Sequence, residues 1–546
     1  MVIVKKIFYF FILTGLHTTA WGQHGFLQQI ALSDTGRVQQ LTDTGLQMGV
    51  SFCLRPIRPF FAEKKSRDIT ARFTHVSYTL QNNSKLPLGD NDESFFPSVG
   101  FQQRITVGAI AQVDGFMLKL QPEFVTAANQ EPTPFQWPLP TGNFWANIYQ
   151  YINNKIDMYS RFGTKPITQL FPGQSSISYT YQSVSAGLST ENIWWGPGLR
   201  NSLVMTNNAP GFAHLTVNTV KPIITPIGSF EGQVILGRLD SAGFESPDNV
   251  IMRNIWPDGI AKKSADTRMI AGIMMVWQPK WIKNLYLGFA STSNFYSGSE
   301  NANANDAIGL LSKNKRAAKL GSLFFRYAMP EEHAEFYFEY GRADKPASIF
   351  NIFEDTIPTG YVAGVRKLLK TGTKDSYIEL AAEITQLRLP DPSLIFDSNN
   401  PFNAPKTNSW YTHNYVAQGY TNRGQLMGAA IGPGSNSQTI NVSWINGLKK
   451  IGIQFERVLH NNDFYYYNYF NGTIDAGYKN KHWTDLSIGL HGRWDYKDFV
   501  FALFANYTSA LNYRWVKLDG SWQEPSLLSD KQNTQIVFSL QYKLGK

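Results

Sequence analysis

The sequence predicts an all-β protein: a transmembrane antiparallel β-barrel of about 16–18 strands, with long extracellular loops and a short periplasmic N-terminal segment. Three observations carry that expectation. First, apolar and polar residues alternate with a period of two. Between Asp485 and Asp495, Leu486, Ile488, Leu490 and Trp494 alternate with Asp485, Ser487, His491, Arg493 and Asp495. Ile536, Phe538, Leu540, Tyr542 and Leu544 repeat the pattern against Gln535, Ser539, Gln541 and Lys543, as do Ala334, Phe336, Phe338 and Tyr340 against His333, Glu335 and Glu339. Second, these segments run to about ten residues or more, which suits a tilted bilayer crossing, whereas the strands of a soluble sandwich average about five or six. Third, short and long connections take turns, as expected when tight periplasmic turns oppose extracellular loops.

Taken in order, residues 1–22 read as a signal peptide: Lys5 and Lys6 precede the apolar run Ile7 to Leu16, and Ala20-Trp21-Gly22 supplies small residues for cleavage. Residues 23–70 form the periplasmic segment, in which Pro59 to Asp68 reads as a short helix, and 71–546 the barrel. The strands fall at 72–82, 101–112, 114–127, 176–190, 227–239, 266–277, 284–296, 320–329, 333–342, 360–370, 375–388, 438–446, 449–460, 484–495, 498–513 and 533–545, with a further pair most plausible where the run after 190 and the segment His214 to Val220 fold back against the wall. Tight turns at Asp114-Gly115 and Asn446-Gly447 carry the residues that short hairpins require. Long connections occupy 128–175, 240–265, 297–319, 343–359, 389–437, 461–482 and 514–532. In the first of these, Phe144, Ile148, Tyr151, Ile152 and Ile156 are spaced for a helix that caps or enters the barrel.

Composition excludes several classes. No run of about 18 apolar residues remains after the leader, so a helical membrane protein is excluded. Cys53 is the only cysteine, which forbids an internal disulfide and a zinc cluster and reads as a small buried hydrophobe. The formal charge is +9, two of which belong to the leader lysines, leaving +7 with no dense basic cluster for nucleic acid. Hydrolase, metalloprotease, phosphate-loop and Cys-x-x-Cys motifs are absent from the sequence, so neither an enzyme nor a metal or cofactor is expected.

The run Ser189 to Asn201 stands apart from this pattern. Gly196, Pro197 and Gly198 force a sharp corner where Trp194 and Trp195 present flat faces between Glu191 and Arg200. Together with Asn192, the following Asn207-Asn208-Ala209-Pro210-Gly211-Phe212 and His214, and a second block from Tyr411 to Gly428, it resembles the Wzi-type capsule assembly family. That resemblance implies a non-enzymatic outer-membrane barrel of 18 strands in a Gram-negative bacterium that binds capsular or surface polysaccharide as a lectin and assists capsule assembly and attachment. It implies polysaccharide and outer-membrane lipid as partners, with the polysaccharide export machinery as a further candidate. The helical bundle that better-known members carry before the barrel reads as reduced or absent here.

Sugar binding needs flat apolar faces for the pyranose ring and amides or charged groups for its hydroxyls. The loops offer both: Trp410, Tyr411, His413, Tyr415, Tyr420 and Arg423 in one, Tyr465, Tyr466 and Tyr467 among Asn461, Asn462 and Asn468 in the next, and Trp515 and Trp522 in the last. The same aromatics suit the girdles of any such barrel. For the corner, parity of the strands gives a place near the periplasmic side or inside the lumen, with Glu191 paired to Arg200 as a brace. Two other functions fit the same pattern: a porin or export channel, and an outer-membrane glycan-modifying enzyme.

Overall fold

The computed structural model describes residues 26–42, 49–56, 69–132, 142–298, 316–343, 358–373, 375–389, 407–469, 482–515 and 530–544. The leader, Pro59 to Asp68 and Trp522 lie outside them. The wall begins with β1 (Thr70–Asn83) and β2 (Gly100–Val113). Two interrupted strands follow, β3 (Phe116–Leu120 continued by Glu123–Ala127) and β4 (Ile167–Phe171 continued by Ser176–Tyr181), then two short ones, β5 (Val184–Ser189) and β6 (His214–Thr219). The circuit continues through β7 (Gly228–Leu239), β8 (Arg268–Pro279), β9 (Leu285–Tyr296), β10 (Ala318–Met329), β11 (Ala334–Ala343) and β12 (Thr359–Lys370). It ends with β13 (Ser376–Gln386), β14 (Asn436–Asn446), β15 (Lys449–Leu459), β16 (Thr484–Tyr496), β17 (Phe499–Leu511) and β18 (Lys531–Lys543). Neighbours pair antiparallel, and Val76 of β1 opposite Tyr542 of β18 closes an 18-stranded barrel.

The wall has two strands more than the 16 segments because 176–190 is not one strand. The chain reverses at Gln182, with φ 52°, so that Tyr181 faces Val184. No Gly or Asn-Gly marks that turn, and the alternation reads straight through it. The returning His214–Thr219 lies between β5 and β7, and the first half of β4 falls inside what reads as the 128–175 loop.

Burial follows the alternation with its sign inverted relative to a soluble protein. In β2, Phe101 and Ile105 are exposed outward while Gln102, Arg104 and Thr106 are buried inward, and in β16 Leu486, Ile488 and Leu490 face out while Asp485 is buried. An apolar exterior around a polar interior is stable only with hydrocarbon outside.

The lumen is filled unevenly. From β7 to β12, Ile235, Ile270, Met274, Tyr286, Phe324, Tyr337 and Val362 point inward and pack against Trp195, Leu203, Met205, Trp410, Tyr411 and Leu426 of two inserted segments, 190–213 and 407–435. Cys53 is buried in that same core. Across the lumen, β14 to β18 and β1 present polar side chains, including Thr79, Asn441, Gln454, Asn506 and Gln535, to open space.

A helix, α1 (Phe26–Thr42), stands across the end of the lumen where the short turns lie. Its Val38 and Leu41 pack on Ala328, Leu368, Tyr377 and Ile445 at the strand ends. Arg37 pairs with Glu335 at 2.9 Å, Glu335 also receives Arg326 at 2.6 Å, and Asp34 pairs with Arg366 at 2.8 Å and Lys450 at 3.2 Å. The helix described in the N-terminal segment is therefore earlier than Pro59 to Asp68, and it sits in the barrel mouth.

Candidate functional site

The corner leaves the wall at Ser189, and its geometry follows from the residues that build it. Gly196 has φ +134°, and a Cβ there would lie 2.3 Å from Ser202 Oγ; a Cβ on Gly198 would lie 1.8 Å from the Asn201 carbonyl. Trp194 and Trp195 pair as a two-residue ladder with Leu54–Arg55. The Trp195 indole is fully buried and donates to Gln233 Oε1 at 2.8 Å, while the Arg55 guanidinium lies 4.7 Å from the Trp194 ring centre. Pro197 O accepts from Arg37 at 2.8 Å, so the corner and α1 are tied together.

One carboxylate holds the turn that follows. The backbone N–H groups of Leu199, Arg200 and Asn201 donate to Glu383 at 2.8, 3.0 and 2.7 Å, and the Tyr337 hydroxyl donates to it at 2.8 Å. Glu191 pairs with Lys119 at 2.8 Å rather than with Arg200. Nine residues of turning carry Arg200 across the lumen to Glu456, 2.8 Å away, and to Asp90. Asn192 exchanges hydrogen bonds with Gln174 and donates to Ala209 O at 2.7 Å. Asn207 O accepts from Glu93 N, Asn208 donates to Leu426 O, and His214 Nδ1 lies 2.7 Å from Phe212 O. Because the hairpin at Gln182 shifts the parity by one strand, the corner enters the lumen from the side of the long loops, not from the periplasmic side.

The second block folds into the barrel instead of over it. Trp410, Tyr411, His413 and Tyr420 are all buried. Tyr411 and Tyr420 stack at 5.8 Å; the Tyr411 hydroxyl donates to Leu203 O and accepts from Ala429 N, which joins this loop to the corner. Arg423 pairs with Asp240 at 2.9 Å and lies over the Phe171 ring. Tyr415 is exposed. Tyr465 and Tyr467 are buried on a helix, α2 (Asn462–Tyr469), with Tyr467 stacked on Tyr151, and Tyr466 is half-buried. Most of the aromatic faces expected on the outer surface are thus spent on packing the lumen.

What remains open to a ligand is a continuous passage down the polar side. At the loop end, a vestibule of about 260 Å3 is lined by Tyr159, His460, Trp483, Tyr513 and Trp515, with Asn153, Asn208, Asn461, Asp248 and Arg514 among them. His460 stacks on Trp483 at 4.0 Å, and both ring nitrogens are held by Asp485, at 2.9 and 2.8 Å. Trp515 is itself largely buried, donates to His460 O at 3.2 Å and meets Trp483 edge-on, so it borders the cavity with only an edge. Arg514 pairs with Asp248 at 2.9 Å and has φ 60°, a strained value for a residue with a side chain. Below lies a groove of about 520 Å3 that shares Leu88, Ala430, Ile431 and His460 with the vestibule. A smaller inner pocket of about 230 Å3 shares Arg200, Lys450 and Arg493 with the groove and ends at α1.

Flat rings edged by amides, with an ion pair beside them, suit a sugar whose apolar face stacks while its hydroxyls bond. Of this set only Trp515 stands among the aromatics expected from sequence. His460 and Trp483 were legible by register, since Leu459 faces Thr484 and the next residue on each side lies beside the other.

An antiparallel barrel with an apolar exterior and a lumen packed by its own chain defines a plugged barrel of the outer-membrane type. The chain belongs to the Wzi capsule assembly family: the family model described as capsule assembly protein Wzi matches residues 87–498. It is similar in fold to Escherichia coli Wzi, described as an outer-membrane protein involved in group 1 capsule assembly and a carbohydrate-binding β-barrel. The TM-score is 0.57 at 12% identity, covering 95% of this chain and 98% of that one. Pseudomonas aeruginosa OccK5 and a BenF-like porin from Pseudomonas fluorescens both match at a TM-score of 0.40 and 8% identity, covering 87% of this chain and 98% and 99% of theirs. No curated protein sequence matches.

Proposed function

We propose that this protein is a non-enzymatic outer-membrane lectin of a Gram-negative bacterium that binds capsular or other surface polysaccharide and assists its assembly and attachment at the cell surface. The observation that carries this reading is the vestibule: Trp483, His460, Tyr513 and Trp515 ring a cavity open to a polar groove, with amides and an Asp248–Arg514 pair at its rim. Membership of a family described as capsule assembly protein supports capsule as the polymer, and the description of Escherichia coli Wzi as carbohydrate-binding accords with that reading. The barrel contributes an anchor, because its apolar exterior is stable only against hydrocarbon.

The channel alternative is opposed by α1, whose Asp34 and Arg37 are ion-paired to the wall across the lower end. Deleting the gene tests the attachment reading. The expected outcome is polymer made in normal amount but released into the medium; loss of polymer synthesis would contradict it.

A further inference from the structure

The inner pocket is strongly cationic. Of the residues that line it, six carry positive charge and three are carboxylates. Those carboxylates are committed: Glu383 to three backbone amides and Tyr337, Asp34 and Glu379 to Lys450 and Arg366. Arg37 and Arg200 are matched by Glu335 and Glu456, which lie outside the pocket lining.

Two guanidinium groups make no ion pair within 4 Å among the described residues, although Asp34, Asp495 and Glu379 act on Arg493, and Asp34 on Arg55, from further away. Arg55 donates to Phe52 O at 3.2 Å and Gly198 O at 2.8 Å; Arg493 donates to Leu448 O at 2.7 Å and to Thr35 Oγ1 at 3.4 Å. Arg366, 2% exposed, is paired through its other nitrogens with Asp34, Glu379 and Glu335, and only its Nη1 is left without a hydrogen-bond partner. Burial, and after it the charge of Arg37, pushes Arg55 down to about 9. Buried cations without partners are costly unless an anion joins them.

We propose that this pocket binds the acidic group, a carboxylate or a phosphate, of a glycan that enters along the groove, held by Arg366, Arg493 and Arg55. The proposal rests on the glycan-binding reading and deepens it by naming the ligand as an acidic chain. Arg493 and Lys450 line both the groove and the pocket, so the pocket adjoins the groove that a sugar at the vestibule end would enter. Guanidinium groups fit either anion through paired N–H donors.

The test is titration of the full detergent-solubilised protein with a uronate-containing oligosaccharide, a phosphorylated oligosaccharide, a neutral oligosaccharide of equal length, and inorganic phosphate. Wild type should prefer an acidic chain to the neutral one. Arg493→Gln and Arg55→Gln should lower acidic-chain affinity by about ten- to a hundredfold while leaving neutral-chain affinity unchanged. Arg493→Lys, which keeps the charge, should retain part of the preference, and heat-modifiable migration on gels verifies that each variant is folded. Preference for the uronate or for the phosphorylated chain identifies which anion is recognised. Acidic-chain binding as tight in the folded Gln variants as in wild type would overturn the proposal. If no oligosaccharide binds wild type, the lectin reading fails; phosphate binding that Arg493→Gln abolishes would still support the pocket, and absence of phosphate binding would overturn it.

Discussion

Trp195 shows how much a single residue of the corner contributes. It is fully enclosed, and its N–H is bonded to Gln233, so Trp195→Ala removes a large packed ring and strands an acceptor. The expected cost is about 3–5 kcal/mol, read as a lower midpoint in thermal unfolding of the solubilised barrel. Gly198→Ala should fail differently: the added carbon would overlap the Asn201 carbonyl, so the corner must move and Glu383 must lose its amides. His413 provides a pH dependence. Its Nδ1 accepts the N–H groups of Val416 and Tyr415, and burial, then Lys155 and Lys319, depress it from 6.5 to about 4. A depressed folded value means that the neutral form is the one the folded loop favours. Its contribution, roughly 3 kcal/mol, is complete above pH 6.5 and is lost as pH falls towards 4. Hydrogen exchange of the 407–428 segment should therefore quicken across that window, and His413→Gln should flatten the response.

The elements differ in how far they could be read beforehand. The long wall strands were legible because lipid outside and polar groups inside impose a period of two over a fixed length, as in β16 and β18. β5 is hidden because Gln182-Ser183 turns without a glycine, and β6, which falls within the segment expected to fold back against the wall, is too short to show a period. α1 was missed because Phe26–Thr42 mixes glutamines with a mid-helix glycine and shows little amphipathic contrast. It is nonetheless held by two sets of charges. Removing α1 should unblock the lower end, so a chain lacking residues 26–42 is expected to show steady single-channel conductance in planar bilayers where the full chain shows little. Equal conductance in both would mean that α1 does not close the lumen.

At the scale of the molecule, the barrel divides its lumen lengthwise: an apolar half carries a core and a polar half carries a passage. Period and length cannot reveal that division, because an inserted loop and a surface loop have the same composition. Trp410, Tyr411 and Tyr420 look like a sugar platform in sequence and are core in space. The binding surface that remains arises where loop ends meet: His460 and Trp483 at the two ends of one connection, and Trp515 from the next. Occupation of this vestibule by a glycan is read by tryptophan fluorescence of the solubilised barrel titrated with oligosaccharides cut from the cell's own surface polysaccharide. The account predicts saturable quenching in wild type and an affinity lower by about tenfold or more in folded Trp483→Ala. No saturable change in wild type, or an unchanged affinity in Trp483→Ala, would contradict it.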